Sequence, residues 1–173
     1  MSQERTTATV PEAGFDIHRY QDAKTIHDTL ATARNIAIVG LSSNHLRPSY
    51  FVAYYLKRHG YHIIPVNPNE TEVLGEKAYP SLFDVPEPID VVDVFRDPKY
   101  APEVARAAVA VGAKVLWLQF GVISPEAAEI AERGGLKVVM DRCMKVEHAR
   151  SLGRMHWMGF NTGGVSAQRE TEG

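Results

Sequence analysis

A polar stretch over residues 40–49, which reads G-L-S-S-N-H-L-R-P-S, carries residue types that bind phosphate groups. Gly40 would let the backbone turn sharply and approach a ligand closely. Ser42 and Ser43 offer hydroxyl and backbone N–H groups, while Arg47 offers a permanent charge in a planar fork that matches phosphate oxygens. We therefore predict that this stretch contacts the phosphate groups of a ligand and is not an ordinary polar loop.

The end of the same stretch adds a predicted helix start. Pro48 and Ser49 stand before an amphipathic run, and we predict that Ser49 opens the helix and that Gly60 ends it. The N-terminus of a helix attracts anions, because its unpaired backbone N–H groups and its dipole both favour negative charge. Pro48 and Ser49 therefore join the predicted phosphate site.

The rest of the chain predicts the framework that holds this stretch. Five short apolar runs predict strands over residues 35–40, 61–66, 89–95, 114–119 and 136–140. Between them, further helices are predicted over 22–33, 98–111, 124–133 and 144–152, with Asp22 and Ser124 as N-caps and a short turn over 81–84. Strands that alternate with helices form a parallel sheet covered on both faces.

We therefore predict a single α/β domain, a Rossmann-like doubly wound five-stranded parallel sheet with the order 3-2-1-4-5. The domain is expected over residues 15–160, between a flexible leader over 1–14 and a flexible tail over 161–173. Ligands bind such sheets beyond the carboxyl ends of the strands, where the strand order reverses. In the predicted order that point lies between the first and the fourth strands.

Other polar residues fall at the same predicted edge. Asn67 and Pro68 follow the second strand, and Gln119 ends the fourth, where it would bond a ligand or simply cap the strand. Cys143 follows the fifth strand and Arg142, and a neighbouring guanidinium and a helix start both favour a thiolate. Cys143 is thus either a packed small residue or a thiol that meets the ligand, even as a mixed disulfide.

The dinucleotide fingerprint is absent from this edge. NAD-binding sheets need G-x-G-x-x-G after the first strand and an acid at the end of the second. Here the later glycine positions hold Ser42 and His45, and Asn67 stands where the acid would be. No G-K-[ST] phosphate loop occurs either. The site is therefore suited to a phosphate-bearing nucleotide but poorly suited to a dinucleotide.

Five stretches, in order along residues 33–148, resemble the small stand-alone CoA-binding domain proteins. They read V-G-L-S-S-N-H-L-R-P-S, P-V-N-P, V-D-V-F-R, W-L-Q-F-G-V and V-V-M-D-R-C-M-K-V-E-H. These proteins are similar to the N-terminal CoA-binding domain of the succinyl-CoA synthetase α subunit. The resemblance implies CoA or an acyl-CoA as the cofactor, with its phosphates on the loop that begins at Gly40.

The resemblance also implies positions for the rest of the ligand. Asn67 and Pro68 match the segment beside the adenosine moiety. Phe95 and Arg96 match the segment over the adenine, where an aromatic ring and a guanidinium can both stack on a base. Phe95 is alternatively a buried strand end. The synthetase carries a lysine near the adenosine segment, whereas this chain has Asn69-Glu70.

Composition limits the classes of function. With 45% apolar residues, 23% charged residues and a formal charge of -2, the chain gives no electrostatic case for nucleic acid or a membrane surface. The single cysteine and the lack of an apolar leader favour a cytoplasmic protein. No histidine cluster predicts a metal, and no set of residues predicts catalysis.

The leading hypothesis is a non-catalytic binding or regulatory module for CoA, since the synthetase's phosphorylated histidine and partner subunit have no counterpart in 173 residues. The sequence does not identify a protein partner for this module. The alternatives are a nicotinamide-dependent oxidoreductase on the same fold and a thiol redox partner that uses Cys143.

Overall fold

The computed structural model describes residues 14–153. The predicted leader over 1–14 lies outside this range except for Gly14, and the predicted domain end at residue 160 and the predicted tail over 161–173 also lie outside it. The helices are α1 (Ala23–Thr32), α2 (Pro48–Arg58), α3 (Ala101–Ala110), α4 (Pro125–Arg133) and α5 (Met144–His148). The strands are β1 (Asn35–Val39), β2 (His62–Val66), β3 (Glu72–Val73), β4 (Glu76–Lys77), β5 (Val91–Val94), β6 (Val115–Leu118) and β7 (Lys137–Met140). Between residues 14 and 153, no helix is long and apolar enough to cross a membrane.

Five of the strands form one parallel sheet in the order β2-β1-β5-β6-β7. This confirms the predicted Rossmann-like α/β domain with a five-stranded parallel core. The predicted strand order is wrong, because the third core strand, β5, pairs with β1 and not with β2. Counted along the core strands, the order is 2-1-3-4-5. Both orders use the same kind of crossover, so the alternation of elements cannot distinguish them.

The connection between β2 and β5 explains much of the site below. Residues 67–90 contain no α-helix, only the β3–β4 hairpin and a 3-10 turn at Leu82–Asp84, which agrees with the predicted turn. The hairpin was not predicted. Leu74 and Gly75, both with positive φ, make its two-residue turn. Since no helix follows β2, this irregular segment covers the sheet beside α3.

The two faces of the sheet bury alternate residues. Ile36, Ile38 and Trp117 pack in the core beneath α1, α2 and α5, whereas Ala37 and Leu116 pack in the core beneath α3 and α4. Burial on both faces is the reason that the strands appear as continuous apolar runs and not as alternating ones.

The predicted helix ends are largely confirmed. The Asp22 carboxylate accepts from the Thr25 backbone N–H at 2.9 Å, and Ser124 Oγ accepts from the Ala127 N–H at 3.1 Å. Gly60 follows α2 with a φ of +96°. α2 begins at Pro48, one residue before the predicted Ser49, because proline has no N–H and its fixed φ suits the first helical position.

Asp93 lies in the middle of β5 and is fully buried. Neither of its carboxylate oxygens has a hydrogen-bond partner among the described residues. Burial therefore raises the pKa of Asp93 well above its usual range, since the charged form loses its hydration without compensation.

Candidate functional site

A cleft of about 1000 Å³ opens at the carboxyl edge of the sheet, beyond β1, β2 and β5. Because β5 lies beside β1, the strand order reverses between these two strands, and not between β1 and β6 as predicted. The Phe95 N–H donates to Val39 O at 2.9 Å, and the Gly40 N–H donates to Val66 O at 2.8 Å. These bonds bring the ends of the three strands together at one wall of the cleft.

Most of the predicted site residues line this cleft. They are Gly40, Ser42, Arg47, Pro48, Ser49, Asn67, Pro68, Phe95 and Arg96. The predicted residues outside its lining are Ser43, Gln119 and Cys143. The lining also includes residues that sequence reasoning missed, from two further segments: residues 80–83 before β5, and the exposed side of α3.

Gly40 is required by the geometry of the strand ends. It has a φ of +93°, and a Cβ added there would lie 2.5 Å from Phe95 O. A side chain would therefore suffer both backbone strain and a clash with the β5 backbone. The glycine allows the loop after β1 to turn directly over the end of β5.

The loop after Gly40 holds its shape through its own side chains. Ser42 Oγ accepts from the Asn44 N–H at 3.0 Å, and Asn44 Oδ1 accepts from the Leu46 N–H at 2.9 Å. The Ser42 N–H donates to Ser49 Oγ at 3.1 Å, and Ser49 is buried. Ser42 and Ser49 thus support the loop as well as line the cleft.

Ser43 makes a different kind of contact. Its backbone N–H and its hydroxyl both donate to Glu70 Oε2, at 2.9 and 3.1 Å. Glu70 lies four residues beyond the end of β2 and lines the cleft. Sequence reasoning noted Glu70 only as a departure from the synthetase and gave it no role in the site.

Asn67 joins the two loops that follow β1 and β2. Its Nδ2 donates to Leu41 O at 3.0 Å, and its Oδ1 accepts from the Asn69 N–H at 2.9 Å. The residue thus positions the loop after β1, in addition to forming part of the cleft wall.

Three guanidinium groups line the cleft: Arg47 at the start of α2, Arg96 after β5, and Arg106 on α3. Within residues 14–153, none of the three forms an ion pair with a carboxylate. Arg106 was missed in the sequence because it lies in an alanine-rich helix with no motif around it. The cleft therefore presents cationic groups that are available to a phosphate-bearing ligand.

Aromatic rings border the same cleft. Phe83 is 65% exposed, and Tyr100 is 37% exposed with the Arg96 guanidinium 4.1 Å from its ring centroid. Phe95 also lines the cleft, but it packs partly against the core beneath α1, α2 and α5. Phe83 and Tyr100, which were not predicted, are thus the more accessible rings for a planar base.

Gln119 and Cys143 lie elsewhere along the edge. Gln119 directly follows β6, one strand away from the reversal point, and its buried Oε1 accepts from the Met144 N–H at 3.1 Å. Cys143 precedes α5 and packs against the core on that side. The Arg142 guanidinium donates to Gln21 Oε1 at 3.0 Å. A contact between the ligand and either Gln119 or Cys143 remains a prediction.

The described fold and the cleft define a Rossmann-like α/β domain with a candidate ligand cleft at the carboxyl edge of its sheet, and comparison with known families makes the class specific. The model of the CoA binding domain family matches residues 34–149, and the chain belongs to this family.

Relatives of two kinds are found. The chain is 42% identical over 124 residues to the uncharacterized protein YneT of Bacillus subtilis (strain 168), a match that covers 72% of this chain and 92% of YneT. A solved structure of a hypothetical protein from Pyrococcus horikoshii OT3 has 40% identity and a TM-score of 0.74, and the match covers 88% of this chain and all of that one.

The second kind of relative is a ligase subunit. The chain is 30% identical over 144 residues to the alpha subunit of ADP-forming acetate–CoA ligase I of Pyrococcus furiosus. That match covers 80% of this chain but only 29% of the subunit. The chain therefore corresponds to less than a third of the ligase subunit.

Proposed function

We propose that this chain binds CoA or an acyl-CoA in the cleft, as a binding or regulatory module without turnover of its own. The observation that carries the proposal is the set of three guanidinium groups, Arg47, Arg96 and Arg106, around one cleft in a member of the CoA binding domain family, none of which forms an ion pair with a carboxylate within residues 14–153. CoA carries a diphosphate and a 3′-phosphate. Guanidinium groups bind phosphate oxygens through paired, charge-assisted hydrogen bonds.

The cleft offers a distinct partner for each part of the ligand. The diphosphate would lie against Arg47 and the loop that begins at Gly40, close to the uncapped N-terminus of α2. The adenine would stack against Phe83 or Tyr100. Arg106, on the opposite wall, would meet a phosphate beyond the reach of Arg47.

A module without its own turnover agrees with the limited match to the ligase. This chain corresponds to 29% of the acetate–CoA ligase subunit, so the ligase reaction does not follow from the relationship. The acyl group and any protein partner are matters for experiment.

A ligand panel tests the proposal. Isothermal titration calorimetry and thermal shift would be measured with CoA, acetyl-CoA, NAD and NADP at equal concentrations. We expect CoA or acetyl-CoA to stabilise the protein, by about 2.7 kcal/mol at one hundred times its dissociation constant. NAD should bind weakly or not at all, because the acid and the glycines of the dinucleotide fingerprint are absent. Tight binding of NAD without binding of CoA would refute the proposal.

A further inference from the structure

The Glu70 carboxylate occupies a position at which the loop after Gly40 could bind an anion. A single oxygen, Oε2, receives both the backbone N–H and the hydroxyl of Ser43, at 2.9 and 3.1 Å. Two donors that converge on one anionic oxygen are the arrangement by which loops hold phosphate oxygens. Glu70 also lines the cleft with three guanidinium groups, yet it forms no ion pair with any of them in the described structure.

Ser43 is unusual among the donors of this loop. Other backbone N–H groups of the loop already have acceptors within residues 42–49. These donors belong to Ser42, Asn44, Leu46 and Arg47. The acceptor of Ser43 comes instead from the segment after β2. Glu70 can therefore leave Ser43 by rotation of its own side chain, without any change in the loop's internal hydrogen bonds.

We propose that Glu70 is a built-in competitor for a ligand phosphate at Ser43. This inference rests on the proposed function. A carboxylate and a phosphate oxygen cannot share one N–H donor, and two negative groups in contact repel each other. Phosphate binding at Ser43 thus requires the Glu70 side chain to rotate away from the Ser43 donors. In the ligand-free protein, Glu70 excludes weakly bound anions from this position. Only a ligand with further contacts, such as those to Arg47 and Arg96, displaces the carboxylate.

The competitor role predicts that removal of the Glu70 charge tightens binding. We expect Glu70→Ala to bind CoA roughly three- to tenfold more tightly than the wild type, the range that a net contribution of one hydrogen bond represents. Glu70→Gln should gain less, because it loses the charge but its amide oxygen can still accept from Ser43. The measurement is isothermal titration calorimetry on the full chain. Circular dichroism would check the fold, and Glu70→Gln keeps the shape of the side chain if Glu70→Ala disturbs it.

Glu103→Gln is the matched control. Glu103 lines the same cleft, so its substitution removes the same charge, but it makes no hydrogen bond to the loop. A gain for Glu103→Gln equal to that for Glu70→Gln would show a general charge effect and overturn the competitor role. Amide NMR adds a local readout: the Ser43 resonance should shift in Glu70→Ala and shift again when CoA binds.

The outcomes separate this inference from the proposed function. If the wild type binds CoA and the Glu70 variants bind it equally or more weakly, Glu70 supports the loop and the competitor role is wrong. If only the Glu70 variants bind CoA, the competitor role stands, but the proposal that the unaltered chain binds CoA fails. If neither wild type nor variants bind CoA, the proposed function fails, and the competitor role fails with it.

Discussion

The carboxyl edge of the sheet is open over β1 and β5 but closed over β6 and β7. In the closed half, polar groups bond to one another: the Gly121 N–H donates to Asp141 Oδ1 at 2.7 Å, and Trp117 Nε1 donates to Arg142 O at 2.8 Å. Gln119 completes this set through the Met144 N–H. In the open half, the guanidinium groups around the cleft have no carboxylate partners in the described structure.

The connections between strands produce this difference. α5 follows β7 closely and packs on α2, so Gln119 and the Met144 N–H are buried and must satisfy one another. The connection from β2 to β5 contains no α-helix, so the edge beside it stays open. A cationic side chain at the edge of a parallel sheet thus indicates a ligand where neighbouring elements leave it without a carboxylate partner.

The largest expected effect compares two glycines in the two halves. Gly40→Ala should lower the free energy of unfolding by about 2–5 kcal/mol, because it adds a clash with Phe95 O to the strain of a positive φ. Gly121, after β6, has a φ of +88° but nothing within 4 Å of an added Cβ. Gly121→Ala should therefore cost only about 1–2 kcal/mol. Urea denaturation measures both, and equal losses would contradict the close approach at Gly40.

The next effect compares two arginines. Arg47→Ala should weaken CoA binding by about 1.5–3 kcal/mol, the scale of a hydrogen bond to a charged group, while the fold is retained. Arg142→Ala removes the same charge in the closed half, where the guanidinium is held by Gln21 and lies 3.7 Å from Glu147 Oε2. It should lower stability and leave the affinity for CoA unchanged. Calorimetric titration measures the affinity of each variant for CoA. Equal affinity for Arg47→Ala and wild type would show that Arg47 does not contact the ligand.

The smallest effect, taken per pH unit, concerns Asp93 on β5, the strand of the open half that pairs with β6. Its pKa is raised in the folded protein by burial, so the folded state keeps a proton that the unfolded state releases. Stability should therefore fall as the pH rises above the ordinary aspartate value of 3.8, until the raised folded pKa is passed. The slope for one proton is at most about 1.4 kcal/mol per pH unit.

Asp93→Asn has nearly the same shape and cannot ionise. Urea denaturation at several pH values should show the wild type losing stability relative to Asp93→Asn as the pH rises. The comparison cancels contributions from other carboxylates, such as Asp90. A difference between the two proteins that stays constant with pH would mean that Asp93 is charged in the folded state.

Strands and helix caps were predicted correctly where residues close together in the chain determine them. The apolar runs marked every strand of the large sheet, and the caps at Asp22 and Ser124 were found because their side chains bond the next helical turn. The β3–β4 hairpin was missed because each strand has only two residues, too few to show an alternating pattern. The last predicted helix, over 144–152, ends as an α-helix at His148 and continues as a π-helical turn.

The candidate site was predicted only in part. Asn67 and the loop from Gly40 were identified because they follow strands directly in the chain, and Arg96 was identified because its segment resembles the CoA-binding domain proteins. Phe83 and Arg106 were missed because each reaches the cleft from an element that has no phosphate-binding motif.

The sequence by itself determined the five strands of the parallel sheet, most of the helices and the polar loop that begins at Gly40, because periodicity, capping and turn chemistry act over a few residues. Only the tertiary structure decided that β5 lies beside β1, since both strand orders satisfy the same handedness of crossover. It also decided which polar groups have partners: Gln119 is buried against α5, whereas Glu70, in the segment after β2, accepts from Ser43 in the loop after β1. Those pairings depend on distances between segments that are far apart in the chain, and no local pattern records them.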